Sequence, residues 1–397
     1  MPASRIRSIS LLAVLCAAHG TACGHEAVES SAPTLFFGLG LQSLHADDPW
    51  PIARLPGVLE SGSPYLDDRG ERIGYVEFGL NARLPHGLTV ELSAGQHEED
   101  GDIELESAWL KGDTTLREHA LGYQIGRQYL PLGWLNLEHH HSRMFGIDPV
   151  AARAVLNGSW RADGLRADID LGNDWQLGAG IWVNDRFPGA PSNTPRLAHV
   201  RIAHQYGDWQ FESGYAHTKA SGRALTTVAN GQHTHNLPSC DTLDANRVCF
   251  IGDVDVVNLS TRWAAQDSPW WVGAEWFAKW DRGHLDSLFG TPDYRGRVNG
   301  GWIDLGRTLP HNLEVIFRLE QAVATHDLNG VNSGLVANQA GIGVSDEKLN
   351  GVGIALNWHP KHGHLISGEW HRADYGGTAT NIYMIRYQFD YGHRLHD

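Results

Sequence analysis

Sixteen short segments of this 397-residue chain alternate apolar and polar residues, from Leu35 almost to the last residue. The stretch from Asn381 to Tyr391 shows the pattern most plainly. Tyr383, Ile385, Tyr387, Phe389 and Tyr391 share one face, and Met384, Arg386, Gln388 and Asp390 share the other. Alternation by itself describes a strand with one buried and one wet face. Here it recurs over nearly the whole chain, and no helical stretch remains to cover so many apolar faces. A sheet closed on itself, with lipid outside and water inside, satisfies both faces of every strand and leaves no backbone edge unpaired. The implied fold class is all-β: a transmembrane antiparallel β-barrel of about 16 strands in the bacterial cell outer membrane.

Residues 1–22 read as a signal peptide. Arg5 and Arg7 open it, Ile9 to Ala18 is too short to span a bilayer, and Gly20-Thr21-Ala22 offers a small-residue cleavage site. Residues 23–397 then form the barrel. Cys23 would be their first residue, although Gly20 is a poor match to the motif that directs lipidation. Taking Arg5 and Arg7 from the 31 basic residues leaves 29 against 46 acidic ones, a formal charge of −17. That balance argues against nucleic acid as a partner and permits attraction of cations. Cys240 and Cys249 stand nine apart in a polar, loop-like stretch, so an exported chain is expected to join them in a disulfide bond.

The connections alternate in length. Gly172-Asn173-Asp174, Tyr206-Gly207-Asp208 and Leu309-Pro310-His311-Asn312 are short, whereas 45–71, 128–162, 184–195, 218–253, 281–296 and 323–347 are long. Barrels of this kind place tight turns in the periplasm and long loops outside. Residues 152–160 also alternate and would make a seventeenth strand. Counting them puts the long 184–195 loop in the periplasm. Assigning them to the third external loop, or to an upward extension of the next strand, restores sixteen. The outward parity is apolar, with Val76, Phe78 and Leu80 on one strand and Trp270, Trp276 and Trp280 on another. The inward parity carries thirteen carboxylates, Glu77, Glu106, Asp168 and Asp170 among them, against seven basic residues including Arg166, Arg201 and Arg386. Rings of acidic side chains favour cations in a water-filled barrel.

The third external loop holds the most specific pattern. It begins Gly126-Arg127, continues through Gly133 and Leu135-Asn136 to Glu138-His139-His140-His141, and reaches Asp148-Pro149, Arg153 and Asp163-Gly164. This stretch resembles a group of proteobacterial outer-membrane proteins with a G-R-…-G-…-L-N-x-x-H-x-H segment, then a Pro-bearing turn, an arginine and a D-G pair. The resemblance covers roughly Gly126 to Gly189. More loosely, the chain is similar to the phosphate-selective (O/P-type) porins, a sixteen-stranded family. It implies an inward-folding third external loop at the channel constriction, and a homotrimer. Phosphate selectivity does not transfer, because those channels are lined with basic residues and this chain has only five lysines.

On this reading the constriction takes Arg127, Glu138, His139, His141 and Arg153 from the loop, and Arg166, Asp168, Asp170 and Arg386 from the wall. His139 and His141 project the same way from an extended segment, so both imidazoles could approach one ion. Glu138 or an acidic wall residue would complete a set suited to zinc or another divalent cation held transiently. No resident cofactor is implied. Imidazoles in this position would titrate near pH 6.

The expected function is a porin-like channel for passive diffusion of small polar solutes, leaning towards cations or metal ions such as zinc. Outer-membrane lipid and lipopolysaccharide would surround it. Two alternatives stand beside this one: a structural or adhesive barrel with a filled lumen, and a barrel hydrolase. The chain has no G-x-S-x-G nucleophile elbow, so no enzyme activity is expected. An energised receptor would need an N-terminal plug and about 22 strands.

Overall fold

The computed structural model describes residues 33–47, 70–96, 103–139, 142–183, 187–190, 194–226, 240–243, 247–342, 347–375 and 377–394. The expected signal peptide, Cys23 and His141 lie outside the described residues. Sixteen strands follow one another: β1 (Thr34–Ala46), β2 (Gly70–Arg83), β3 (Thr89–Gln96), β4 (Glu104–Leu116), β5 (His119–Tyr129), β6 (Arg161–Gly172), β7 (Trp175–Val183) and β8 (Leu197–Tyr206). They continue as β9 (Trp209–Thr226), β10 (Arg247–Ala264), β11 (Trp270–Asp286), β12 (Asp293–Leu309), β13 (Leu313–Asn329), β14 (Glu347–Trp358), β15 (His364–Tyr375) and β16 (Thr378–Arg394). Each pairs antiparallel with its sequence neighbours, and β1 closes the barrel on β16 with Phe37 opposite Tyr391 and Leu41 opposite Tyr387.

The alternation sets which row faces out. On β16, Ile385 is 66% exposed while Arg386 is 3% exposed. Phe78, Leu92, Ile181, Ile303 and Leu319 are likewise exposed, which in water would cost each of them roughly 1.5–3 kcal/mol of lost burial. In a bilayer they meet acyl chains instead. A closed barrel with this apolar exterior belongs in the outer membrane. Two of the tight turns use consecutive left-handed residues, Asn173 (φ 51) with Asp174 (φ 63), and His311 (φ 65) with Asn312 (φ 58). That backbone matches the twist of a tight hairpin, with two residues between the strands in the first turn and three in the second, and Asn and Asp adopt it at low cost.

β9 to β13 are 17 or 18 residues long, where a tilted strand needs only about 9–11 to cross the hydrocarbon. The surplus lies at the long-loop end. Sequence alternation places β9 at 208–217, yet pairing continues to Thr226 opposite Arg247. Beyond the membrane edge the outward row turns polar, with His217, Lys219, Asp253, Arg282 and Arg295. The apolar signal therefore stops while the hydrogen-bond ladder goes on.

Residues 152–160 do not form a strand. Val150–Leu156 is a short helix, α1, inside the third loop, preceded by Pro149 and closed by left-handed Asn157 (φ 54). Its Val-Ala-Ala-Arg-Ala-Val-Leu sequence is rich in good helix formers, and all but Arg153 are buried. A second short helix, α2 (Ser333–Gln339), lies between β13 and β14.

Candidate functional site: the inner wall and the third loop

Backbone N–H groups of the third loop are bound by carboxylates on the inward rows of four strands. Gly133 N–H donates to Glu212 on β9 at 3.0 Å, and Leu135 N–H to Glu275 on β11 at 3.0 Å. Gly146 N–H donates to Glu369 on β15 at 2.8 Å, and Val150 N–H to Glu320 on β13 at 2.8 Å. Hydrogen bonds of this kind contribute about 0.5–3 kcal/mol each, depending on the charge of the acceptor. The last also places a negative charge at the start of α1, where the helix dipole favours it. Gly133 is required by both backbone and space: its φ is +75, and a Cβ there would stand 1.9 Å from a Glu275 oxygen.

Arginines bind the same loop through its carbonyls. Arg386 donates to Arg143 O at 2.7 Å and Met144 O at 2.8 Å. Arg318 forms a bidentate pair with Asp304 (2.8 and 2.7 Å), donates to Ile147 O at 3.3 Å and lies 4.1 Å over the Phe145 ring. Inside the loop, Asn136 donates to Leu130 O (2.8 Å) and Trp160 O (3.1 Å) and accepts from Trp160 N–H (2.6 Å). Arg143 and Asp148 form a buried ion pair.

The inner wall has two characters. From β9 to β14 it presents Ala216, Val254, Val256, Phe277, Val298, Trp302, Ala322 and Leu349, which pack in one buried apolar cluster with the residues of α1; α1 touches β11, β12 and β13. The charges in this half are locked together, as where Arg223 (3.1 Å) and Lys279 (3.5 Å) both pair with Asp281. From β2 to β8 the wall carries more charge, although Trp182 and Leu197 join the same buried cluster. Arg166 and Arg201 flank Asp168 at 3.3 and 3.2 Å, Arg201 reaches Glu212 at 3.4 Å, and Arg161 pairs with Glu104 at 2.9 Å. On β16, Asp390 accepts a hydrogen bond from Tyr75 of β2 at 3.2 Å.

His139 reaches this polar wall. Its Nδ1 is 3.2 Å from Glu106 on β4 and 3.6 Å from Glu77 on β2. Burial opposes the imidazolium, but the hydrogen bond to Glu106 and the charges of Glu77 and Glu106 outweigh it and hold the His139 pKa up at about 9. Titration near pH 6, expected for a loop imidazole, is therefore moved away by the two carboxylates. Glu138 points elsewhere, towards a recess shared with Arg262, Trp302 and Arg318, so it is not His139's companion.

The other expected site residues fall in different places. Arg127 sits in the outward row with Ile125 and forms a bidentate pair with Asp163 (2.8 and 2.9 Å), because the Arg127 and Asp163 positions face each other across β5 and β6. It braces the outer side of the wall. Arg153 donates to Asp148 O at 3.1 Å, within the loop. Asp170 accepts from Gly172 N–H at 2.8 Å and so holds the β6–β7 turn, at the barrel end opposite the loop. Arg166, Asp168 and Arg386 occupy the inward row. Cys240 and Cys249 stand in disulfide geometry with Cα atoms 6.0 Å apart.

Sequence reasoning gave no role to Asn136 and Asp148, though both stand in the loop motif, and missed Arg143 and Arg161. A lone asparagine between Leu135 and Leu137 was the available signal, since a buried amide must find partners. Arg161 was hidden by starting β6 at 163.

No protein-family model matches the chain, and no curated protein does. Solved structures do match in shape. The outer membrane channel DcaP of Acinetobacter baumannii superposes with a TM-score of 0.56 at 11% identity, over 91% of this chain and 99% of that one. The chain has the porin fold. OmpF of Salmonella typhi, solved with daunomycin, gives 0.54 at 12% identity over 90% of this chain and 98% of that one. An anion-selective porin from Comamonas acidovorans gives 0.52 at 11% over 91% and 100%. Identities this low speak to architecture, and the likeness is to porins and channels in general rather than to the phosphate-selective branch.

Proposed function

We propose that this barrel is a porin-like channel through which small polar solutes diffuse passively, with a lean towards cations. On this reading the third loop lies within the barrel, its helix seated on the apolar half of the wall, and the water path runs along β2 to β8 and β16. The observation that carries it is the set of four carboxylates, from β9, β11, β13 and β15, that bind the backbone of one loop rooted at β5 and β6. Contacts so far round the barrel support a loop that crosses the interior. The path left beside it is bordered by Asp168 and Asp390, with Arg166 and Arg201 as the counter-charges, while Glu77 and Glu106 are buried beside His139. A trimer embedded among outer-membrane lipid and lipopolysaccharide fits this reading, since one of the similar structures, OmpT of Vibrio cholerae, is described in a trimer form.

The apolar packing around α1 favours a second reading, a filled structural barrel with no continuous path. Planar-bilayer recording separates them. A channel gives stable conductance steps, and under a KCl gradient its reversal potential has the sign of a cation preference. A filled barrel inserts without steps.

A further inference from the structure

We propose that Glu77, Glu106 and His139 form a binding site on the inner wall for a borderline-soft divalent cation, Zn²⁺ being the best match. One carboxylate oxygen from each glutamate and one imidazole nitrogen lie within 4.8 Å of one another, the span over which a single ion draws its ligands together. Two carboxylates and a neutral imidazole suit zinc or cobalt, whereas calcium and magnesium prefer oxygen alone and copper(I) prefers sulfur. Three protein ligands leave a fourth position for water or a passing solute. The proposal rests on the channel reading only for its access route; the ligand set stands on its own geometry.

Three local features converge on this point. The first is a bulge. Ser93 pairs with Ser107 and Ala94 with Leu105, so Glu106 is the extra residue on β4. Strict alternation would turn either Glu106 or Ser107 outward, yet they are 1% and 2% exposed and both face in. Bulges re-aim side chains in this way beside functional sites. The second is Gly95 on β3, between the two glutamate-bearing strands. A Cβ there would lie 3.5 Å from both Glu106 Oε1 and Glu77 Cβ, so any larger side chain would intrude on the space where the ligands meet. The third is the imidazole. Nδ1 faces both carboxylates, but a ring nitrogen carries at most one hydrogen, and the 3.6 Å contact to Glu77 is too long for a hydrogen bond. An ion in place of that proton would engage all three groups at once. Glu91 and Asp390 add negative charge nearby. His139 keeps 14% of its side chain exposed, so the cluster is not sealed.

The test is titration of the full exported barrel in detergent with Zn²⁺ alone and with Co²⁺ alone, by calorimetry and visible absorption. The expected result is one strong equivalent per chain that a large excess of Mg²⁺ does not displace, with Co²⁺ absorption of a low-coordinate nitrogen–oxygen site. The double substitution Glu77→Gln, Glu106→Gln should weaken it roughly 100-fold or more, since loss even of a supporting partner costs about 10–100-fold. If that variant does not assemble, as read from heat-dependent gel migration, His139→Ala carries the same comparison. No strong equivalent, or one that survives both variants because exposed histidines hold the metal, overturns the site. Conductance in metal-free buffer is read on the same preparations. Zinc binding without conductance supports the site and removes the channel; conductance without zinc binding does the reverse.

Discussion

The two halves of the inner wall differ in what their side chains are used for. Between β9 and β14 the inward row sets apolar residues such as Ala216, Phe277, Trp302 and Ala322 among charges bound to the loop or to one another, and α1 packs against it as a helix packs in a soluble core. Between β2 and β8 the inward row is charged, and Asp168 keeps 26% of its side chain exposed. The strands obey the same alternation in both halves, so what separates them is the loop. Where a loop element is docked, the wall is built to hold it. In the other half the loop meets the wall through His139, and Asp168 is paired with Arg166 and Arg201. The thirteen carboxylates counted from sequence are therefore not equivalent: Glu212, Glu275, Glu320 and Glu369 act as anchors for backbone N–H groups, and the count overstates the charge a passing ion meets.

This contrast can be broken most forcefully at Arg318, which holds Asp304, the Ile147 carbonyl and the Phe145 ring together. Arg318→Ala leaves Asp304 buried without its cation, a loss of about 3–5 kcal/mol. The expected outcome is a lower unfolding temperature and a larger, noisier single-channel current as the loop leaves the wall. Smaller losses follow from the single anchors. Glu275→Ala or Glu320→Ala each removes about 0.5–3 kcal/mol of docking, read as faster proteolytic nicking of the 130–160 segment with the barrel intact. Neutralising charge in the polar half acts on selectivity instead. Asp168→Asn or Asp390→Asn should lower the potassium-to-chloride preference by roughly a factor of two, as expected for one member of an acidic lining. Glu314→Gln, whose carboxylate is bound to the Trp271 indole N–H at 2.7 Å in the other half, should leave that ratio unchanged. The smallest effect is expected at Cys240 and Cys249. Mass analysis after alkylation without reduction should find both thiols blocked, and Cys240→Ser with Cys249→Ser should leave the barrel's gel migration unaltered.

The barrel was legible because lipid and water impose a period of two on every crossing strand, and Arg386 and Ile385 obey it as plainly in space as in sequence. It became illegible where that pressure ends. The outer rows of β9 to β13 turn polar above the membrane, so their upper thirds carried no apolar signal. The third loop was half legible. Within its motif, Asn136 and Arg153 hold the loop's own backbone and Gly133 meets Glu212 of the wall, while Arg127 braces the outer face and Asp170 a distant turn. His139 was legible as a ligand type, and Glu77 and Glu106 were legible as inward wall carboxylates; that β2 and β4 bring these two to His139 was not, because the meeting depends on where the loop lies. The place of 152–160 in the third loop holds, but its helix was hidden because Ala152, Ala154 and Leu156 alternate, satisfying a strand pattern as well as a buried helix.

The most direct test of the asymmetric interior compares two single cysteines against the native disulfide background. Asp168→Cys lies on the polar half and Ala322→Cys on the half covered by α1. With a charged, membrane-impermeant thiol reagent added during single-channel recording, Asp168→Cys should react quickly and step the current down, while Ala322→Cys should remain unmodified for as long as the loop is docked. Equal reaction at both positions would contradict the account, because it would mean that water reaches the whole inner wall and that the loop does not divide it.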